Sequence, residues 1–209
     1  MKIRLGIPTG NGKLFPKTEL MVRELMDSTL LDIEPVIVPG YNVSVGRNMC
    51  ITKGQQVLHP DLDFDYYMSA DSDMYFTDRQ IADMAILNPW VMSMKYRRRT
   101  YTDKPPEICG GYWDKGKPGY PDCIKDFSLK GIQHVSWVGM GACLIHQNVF
   151  TQMKFPYFKN EYLTDGENCF YMGDDVALCI ELNRLAIPIL LNCDIEAEHL
   201  TDHSEQAYG

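Results

Sequence analysis

Apolar and polar positions along the chain change period several times, and the changes mark out its elements. Residues 2–8 (KIRLGIP) alternate basic and apolar and stop at Pro8, which predicts a buried first strand. Thr9-Gly10-Asn11-Gly12 reads as a turn. Leu20, Met21, Glu24, Leu25 and Leu30 sit at helical spacing within residues 17–30. A second strand is expected over 34–38, closed by Pro39-Gly40, and a helix over 44–58 with Ser44 as its N-cap. Residues 64–70 (FDYYMSA) form a third strand that runs into Asp71-Ser72-Asp73. Thr77 caps a helix over 77–87 that carries Ile81, Met84, Ala85 and Leu87, and 90–96 (WVMSMKY) is a fourth strand.

The first half thus reads β-α-β-α-β-α-β. That alternation implies an α/β fold, a mainly parallel sheet with helices on both faces. Such sheets bind ligands at the carboxyl ends of their strands, which is where Asp71 and Asp73 fall. The pattern then breaks. Residues 97–131, with Tyr101, Tyr112, Trp113 and Tyr120 among many Gly, Pro, Lys and Asp, predict a long loop or short irregular hairpin. Strand character returns over 134–145, where Gly139 and Gly141 allow close backbone approach. A short helix over 146–153 and an aromatic, polar loop over 155–172 follow. A helix over 174–186 has Val176, Leu178, Cys179, Leu182 and Leu185 on its apolar side. A last strand over 187–193 leads into an acidic tail, 194–209, holding His199 and His203. No repeat or linker divides the chain, so residues 1–209 read as one domain.

Composition narrows the partners. At 209 residues and 45% hydrophobic the chain can bury a sizeable core, and its net charge of −8 argues against a protein that lives on a nucleic-acid backbone. An acidic chain binds an anionic substrate only through a bridging cation or a local cluster of positive groups. Seven scattered cysteines without a C-x-x-C pair point to buried or idle thiols in a reducing compartment. No apolar run approaches the roughly 20 residues of a membrane span, and no signal-peptide or lipidation pattern is present. A cytoplasmic protein without an integral membrane segment is the expectation.

Three features carry candidate chemistry. Asp71-Ser72-Asp73 places two carboxylates one residue apart at a strand end, either as a solvated turn or as a seat for one hard cation that bridges to a diphosphate. Gly173-Asp174-Asp175 opens a helix, where the carboxylates either cap the first turn or serve as a general base. His199 is either a surface group or a ligand for a manganese-like ion. The basic run Arg97-Arg98-Arg99 faces either solvent or phosphate. Tyr112-Trp113 and Trp137 are candidates to stack on a sugar ring, with Trp137 reading equally as core or site wall.

In order, these pieces resemble the GT-A fold glycosyltransferases, family 2 above all. Ile7-Pro8-Thr9-Gly10-Asn11 is similar to the first-strand segment that opens the donor site, and Gly46-Arg47-Asn48 to the Ala-Arg-Asn segment of the second helix. Asp71-Ser72-Asp73 matches the D-x-D motif. Trp137 to Ile145, with Val149-Phe150, resembles the acceptor-side strand and helix, and Gly173-Asp174-Asp175 with Leu178 and Leu182 the (E/D)-D-x-x-L helix. The resemblance spans nearly the whole chain. It implies a nucleotide-sugar-binding half (1–96) and an acceptor-binding, catalytic half (97–209). It also implies Mn2+ or Mg2+ held by Asp71, Asp73 and His199, with Asp71 on the donor ribose or a metal-bound water. Thr9 and Arg47 would contact the nucleotide, Asp174 would be the base, and Asp175 would orient or cap. The expected reaction is an inverting transfer from a nucleotide-sugar, a UDP-sugar ahead of a GDP-sugar, to a glycan or other hydroxyl acceptor. One departure stands out: the acidic base reader after the second strand is replaced by Val38-Pro39-Gly40-Tyr41-Asn42-Val43-Ser44, where Tyr41 or Asn42 could substitute. The chain stops soon after His199, as a minimal enzyme or one domain of a longer protein. A sugar-phosphate nucleotidyltransferase and a non-catalytic sugar- or nucleotide-binding domain are the alternatives. Thr9-Gly10-Asn11-Gly12-Lys13 matches the nucleotidyltransferase first loop only in part.

Overall fold

The computed structural model describes residues 1–55, 57, 60–98, 107–115, 120–164 and 169–200; Arg99, Tyr101 and His203 lie outside them. The chain opens with β1 (Lys2–Thr9), α1 (Pro16–Met26), β2 (Asp32–Pro39), α2 (Val43–Thr52) and β3 (Tyr66–Ala70). A two-residue β4 (Met74–Tyr75), α3 (Asp78–Ala85) and β5 (Val91–Lys95) follow. Next come β6 (Gly110–Trp113), β7 (Pro121–Cys123), β8 (Ile132–Val135), β9 (Trp137–Val138), β10 (Ala142–His146) and α4 (Gln147–Gln152). The last elements are β11 (Glu161–Thr164), β12 (Cys169–Met172), α5 (Asp174–Arg184), β13 (Ile189–Glu196) and β14 (Glu198–His199).

The main sheet has the order β2-β1-β3-β10-β5-β13-β8. Strands β2, β1, β3, β5 and β13 run one way, while β10 and β8 run against them. The alternation along β1 sorts its side chains between two cores. Ile3, Leu5 and Ile7 pack with Met21, Val22 and Leu25 of α1 and with Ile81 and Met84 of α3. On the opposite face Tyr67, Cys143, Ile145, Ile189 and Leu191 meet Cys50 and Ile51 of α2, Val149 and Phe150 of α4, and Leu178, Cys179 and Leu182 of α5. Helices therefore cover both faces, and a strand buried on both sides carries an apolar run. The basic position Arg4 is not a solvent residue: it is fully buried and bonds Glu34, Asp63 and the Ile51 carbonyl, the pairing a buried charge requires.

Several boundaries differ from the sequence reading for local reasons. Helix α1 ends at Met26 because Ser28 Oγ accepts the Leu30 and Leu31 amides, which leaves Leu30 exposed. Asn42, not Ser44, is the N-cap of α2; its side chain accepts from Val45 N–H at 3.0 Å. The same helix stops at Thr52, where Lys53 and Gly54 take positive φ. The apolar stretch 134–145 is not one strand: β8 pairs with β13, β9 with β6, and β10 threads between β3 and β5. Within 97–131, β6 and β7 pair antiparallel, in line with the short hairpin expected there, whereas loop 155–172 contains the hairpin β11–β12.

Candidate functional site

Because β1, β2 and β3 are parallel, their carboxyl ends share one edge, and a cleft of about 570 Å³ opens there. Asp71 begins where the apolar run of β3 meets this edge. Its amide donates to the Gly141 carbonyl at 3.2 Å, and its own carbonyl closes the turn by accepting Met74 N–H at 3.2 Å. A Cβ on Gly141 would sit 3.0 Å from Asp71 Oδ2 and 3.1 Å from the Tyr96 hydroxyl, so glycine lets the carboxylate and the ring approach together.

Arg47 is the hub. Gly46 lets α2 lie against β1, where a Cβ would come within 2.7 Å of Pro8 Cβ. Arg47 is only 4% exposed; its Nη2 donates to Asp71 Oδ1 at 2.6 Å and its Nη1 to Asp174 Oδ2 at 2.7 Å. Burial works against its charge, but Asp71, Asp174 and Asp175 outweigh it and raise the guanidinium's pKa. One side chain thus ties the D-x-D turn to the N-terminus of α5. Its Nε is buried without a partner. Asn48, one residue on, is structural: its amide clamps the Ser44 and Phe158 carbonyls and the Tyr157 and Phe158 N–H groups.

The two carboxylates of α5 have different surroundings. Asp174 is held by Arg47. Asp175 accepts from Val176 N–H at 2.8 Å. Burial pushes the Asp175 pKa up from the ordinary 3.8; Arg47 pulls it down, Asp174 pushes it up, and the balance is upward. Asp175 thus has a raised proton affinity. This bears on the roles the sequence suggested, with Asp174 as base and Asp175 orienting.

His199 does not line the cleft but reaches its Asp73 through β14, which pairs with β4 and sets His199 opposite Met74, while Leu200 N–H donates to the Asp73 carbonyl at 2.7 Å. The Nδ1 of His199 lies 2.8 Å from the Arg97 carbonyl, which can only accept, so Nδ1 carries a proton. Nε2 then faces Asp73 Oδ2 at 3.3 Å. Cis ligands of an octahedral ion at about 2.1 Å stand about 3 Å apart, so the pair fits two sites on one divalent cation. Among the described residues no group of three His, Cys, Asp or Glu side chains is assembled as a metal site; Asp71 points to Arg47 instead.

The cleft is lined by Arg47, Asp71, Asp73, Asp174 and Asp175, so most of the sequence candidates converge. Thr9 does not line it: its side chain is fully buried with its hydroxyl unpaired, and the neighbours Pro8 and Gly10 form the wall. Trp137 is core, and Tyr112 and Trp113 lie on β6, away from the lining. Arg97 stacks on Phe127, 4.9 Å from the ring centroid, and Arg98 pairs with Glu107 at 3.5 Å, so neither reaches the cleft wall. The sequence reading missed Ser44, Asn160 and Tyr171 as lining residues. The only signal for Ser44 and Tyr171 was proximity along the chain to Arg47 and to Gly173-Asp174-Asp175, and Asn160 had none.

No protein-family model and no curated protein sequence matches the chain. Solved structures do. The crystal structure of A197 from STIV superposes with a TM-score of 0.62 at 18% identity, over 97% of this chain and 87% of that one. GalNAc-T7, solved with UDP, GalNAc and Mn2+, superposes with a TM-score of 0.57 at 8% identity, over 96% of this chain; the present chain spans 43% of its length. At these identities the likeness concerns architecture, and the architecture of this chain is the GT-A fold.

Proposed function

We propose that the chain is a glycosyltransferase that takes a sugar from a nucleotide-sugar donor, a UDP-sugar first, to an acceptor hydroxyl with inversion. The observation that carries the reading is the Arg47 bridge, which joins Asp71 at the donor edge and Asp174 at the start of α5 in one cleft. Asp73 and His199 would hold a Mn2+ or Mg2+ ion, with Asp71 on the donor ribose or a metal-bound water. When bound, such an ion neutralises the charge that grows on the leaving diphosphate.

The remaining work falls to the chain's own side chains. Asp175 takes the acceptor proton; its raised proton affinity suits a general base better than an ordinary surface aspartate would. Asp174 anchors Arg47, which holds the two sides of the cleft in register. Both of that guanidinium's terminal nitrogens donate to carboxylates, so its part is positioning rather than a direct grip on the nucleotide. The GT-A architecture and the UDP and Mn2+ seen in GalNAc-T7 support the donor class.

The test is hydrolysis and transfer of UDP-glucose, UDP-galactose, UDP-N-acetylglucosamine and GDP-mannose with and without Mn2+. Metal-dependent release of one nucleoside diphosphate, abolished in Asp73→Ala, is expected. Pyrophosphate release from a nucleoside triphosphate and a sugar phosphate would instead establish a nucleotidyltransferase.

A further inference from the structure

The hairpin β11–β12 leads straight into Gly173-Asp174-Asp175, and its two faces differ. On the inner face Met172 is buried and Phe170 meets Tyr120 edge to face, with centroids 4.8 Å apart. On the outer face Tyr162 and Tyr171 are directly paired across the strands, with centroids 5.6 Å apart and planes at 65°. Both remain open, Tyr162 at 69% and Tyr171 at 61% exposure, although tyrosine is usually at least half covered. Tyr171 also lines the cleft beside Asn160, Asp174 and Asp175, and among the described residues it is the lining's aromatic side chain.

An exposed aromatic pair continuous with a polar cleft suits a ligand that is apolar on one face and hydroxylated at its rim. A pyranose ring has that form: its C–H groups lie on the negative face of an aromatic ring. An edge-to-face contact occupies one face of one ring and leaves the other faces free. The inner-face packing fixes the hairpin, and tyrosine has few torsions to immobilise, so binding there loses little entropy.

We propose that Tyr162 and Tyr171 form the acceptor subsite, stacking a pyranose so that its hydroxyl rim turns toward Asp175. The acceptor is then a saccharide, an inference that rests on the transferase reading above. Tyr171 belongs to the acceptor side because it precedes the α5 carboxylates by three and four residues, while the D-x-D turn comes from the far end of β3.

Saturation-transfer NMR with methyl glucoside, methyl galactoside, methyl mannoside and methyl N-acetylglucosaminide, in the presence of UDP and Mn2+, tests this. Transfer to the ring C–H protons of at least one glycoside is expected. Tyr162→Ala and Tyr171→Ala should each weaken it on the order of tenfold, while Tyr162→Phe retains it. Tyr162 is too exposed for its truncation to unfold the chain, and UDP–Mn2+ affinity measured by calorimetry on Tyr162→Ala should match the wild type. No transfer to any glycoside, or transfer indifferent to both truncations, overturns the subsite. If UDP–Mn2+ still binds in that case, the transferase reading survives the loss. If the wild type binds a glycoside through these tyrosines but never UDP–Mn2+, the tyrosine pair is a saccharide site, and both its acceptor role and the transferase reading fall.

Discussion

At the scale of single residues the site turns on one cation among three carboxylates. Removing Arg47 leaves Asp71, Asp174 and Asp175 facing one another in a half-closed cleft. Arg47→Met should destabilise the chain by about 3–5 kcal/mol, the usual effect of breaking a buried pair, read by urea unfolding. Asp175→Asn should do the reverse. Its folded pKa is raised by burial, then by Asp174, against the pull of Arg47. The folded state therefore holds this proton more tightly than the unfolded chain does. Its contribution to stability is fully present below the ordinary 3.8 and is lost as pH rises through the raised value. Near neutral pH Asp175→Asn should melt above the wild type, with a flatter dependence of Tm on acid pH. The same substitution should lower turnover about 10²–10⁴-fold if Asp175 is the base. Wild-type activity should fall as pH drops through the Asp175 value. A variant that is less stable and fully active would reject both halves of this assignment.

Elements explain what the sequence made legible. The D-x-D turn could be read because a strand buried on both faces gives an apolar run, and that run ends where the chain meets solvent. Helix α3 could be read from its cap: Thr77 Oγ1 accepts the Gln80 amide at 3.3 Å and Gln80 Oε1 accepts the Thr77 amide at 2.8 Å. Thr77→Ala should cost about 1 kcal/mol in thermal unfolding without changing nucleotide binding. What stayed illegible was long-range pairing between short segments. Nothing local in Glu198-His199 announces that it pairs with Met74-Tyr75, yet that ladder delivers His199 to Asp73. The apolar run 134–145 read as one strand because side-chain pattern does not reveal which sheet receives each piece. Asn42 displaced Ser44 as cap because both are good capping residues, and only the backbone decides between them. Thr9 looked like a ligand contact by resemblance, but its hydroxyl turns inward at the last residue of β1.

At the scale of the molecule, two halves of the chain share one sheet, with β10 lying between β3 and β5. The thiols follow from that burial. Cys50 and Cys109 are pushed up to about 12 by desolvation, and Cys123, Cys143, Cys179 and Cys193 are buried, while Cys169 is exposed on the hairpin. A chromogenic disulfide reagent should modify one thiol rapidly in the native protein and all seven after denaturation. Several fast thiols would mean that the core is looser than described. No helix among the described residues is long and apolar enough to cross a membrane.

The net charge of −8 makes a cation necessary for an anionic donor. An acidic protein whose cleft is lined by Asp71, Asp73, Asp174 and Asp175 repels a diphosphate unless a cation intervenes. Isothermal titration with UDP, GDP, CDP and TDP, with and without Mn2+, measures that requirement directly on the wild type, Asp73→Ala and His199→Ala. Binding of one nucleotide is expected that requires Mn2+, is abolished in Asp73→Ala and is weakened in His199→Ala. Binding that ignores both the metal and Asp73, or no binding to any of the four, would contradict it.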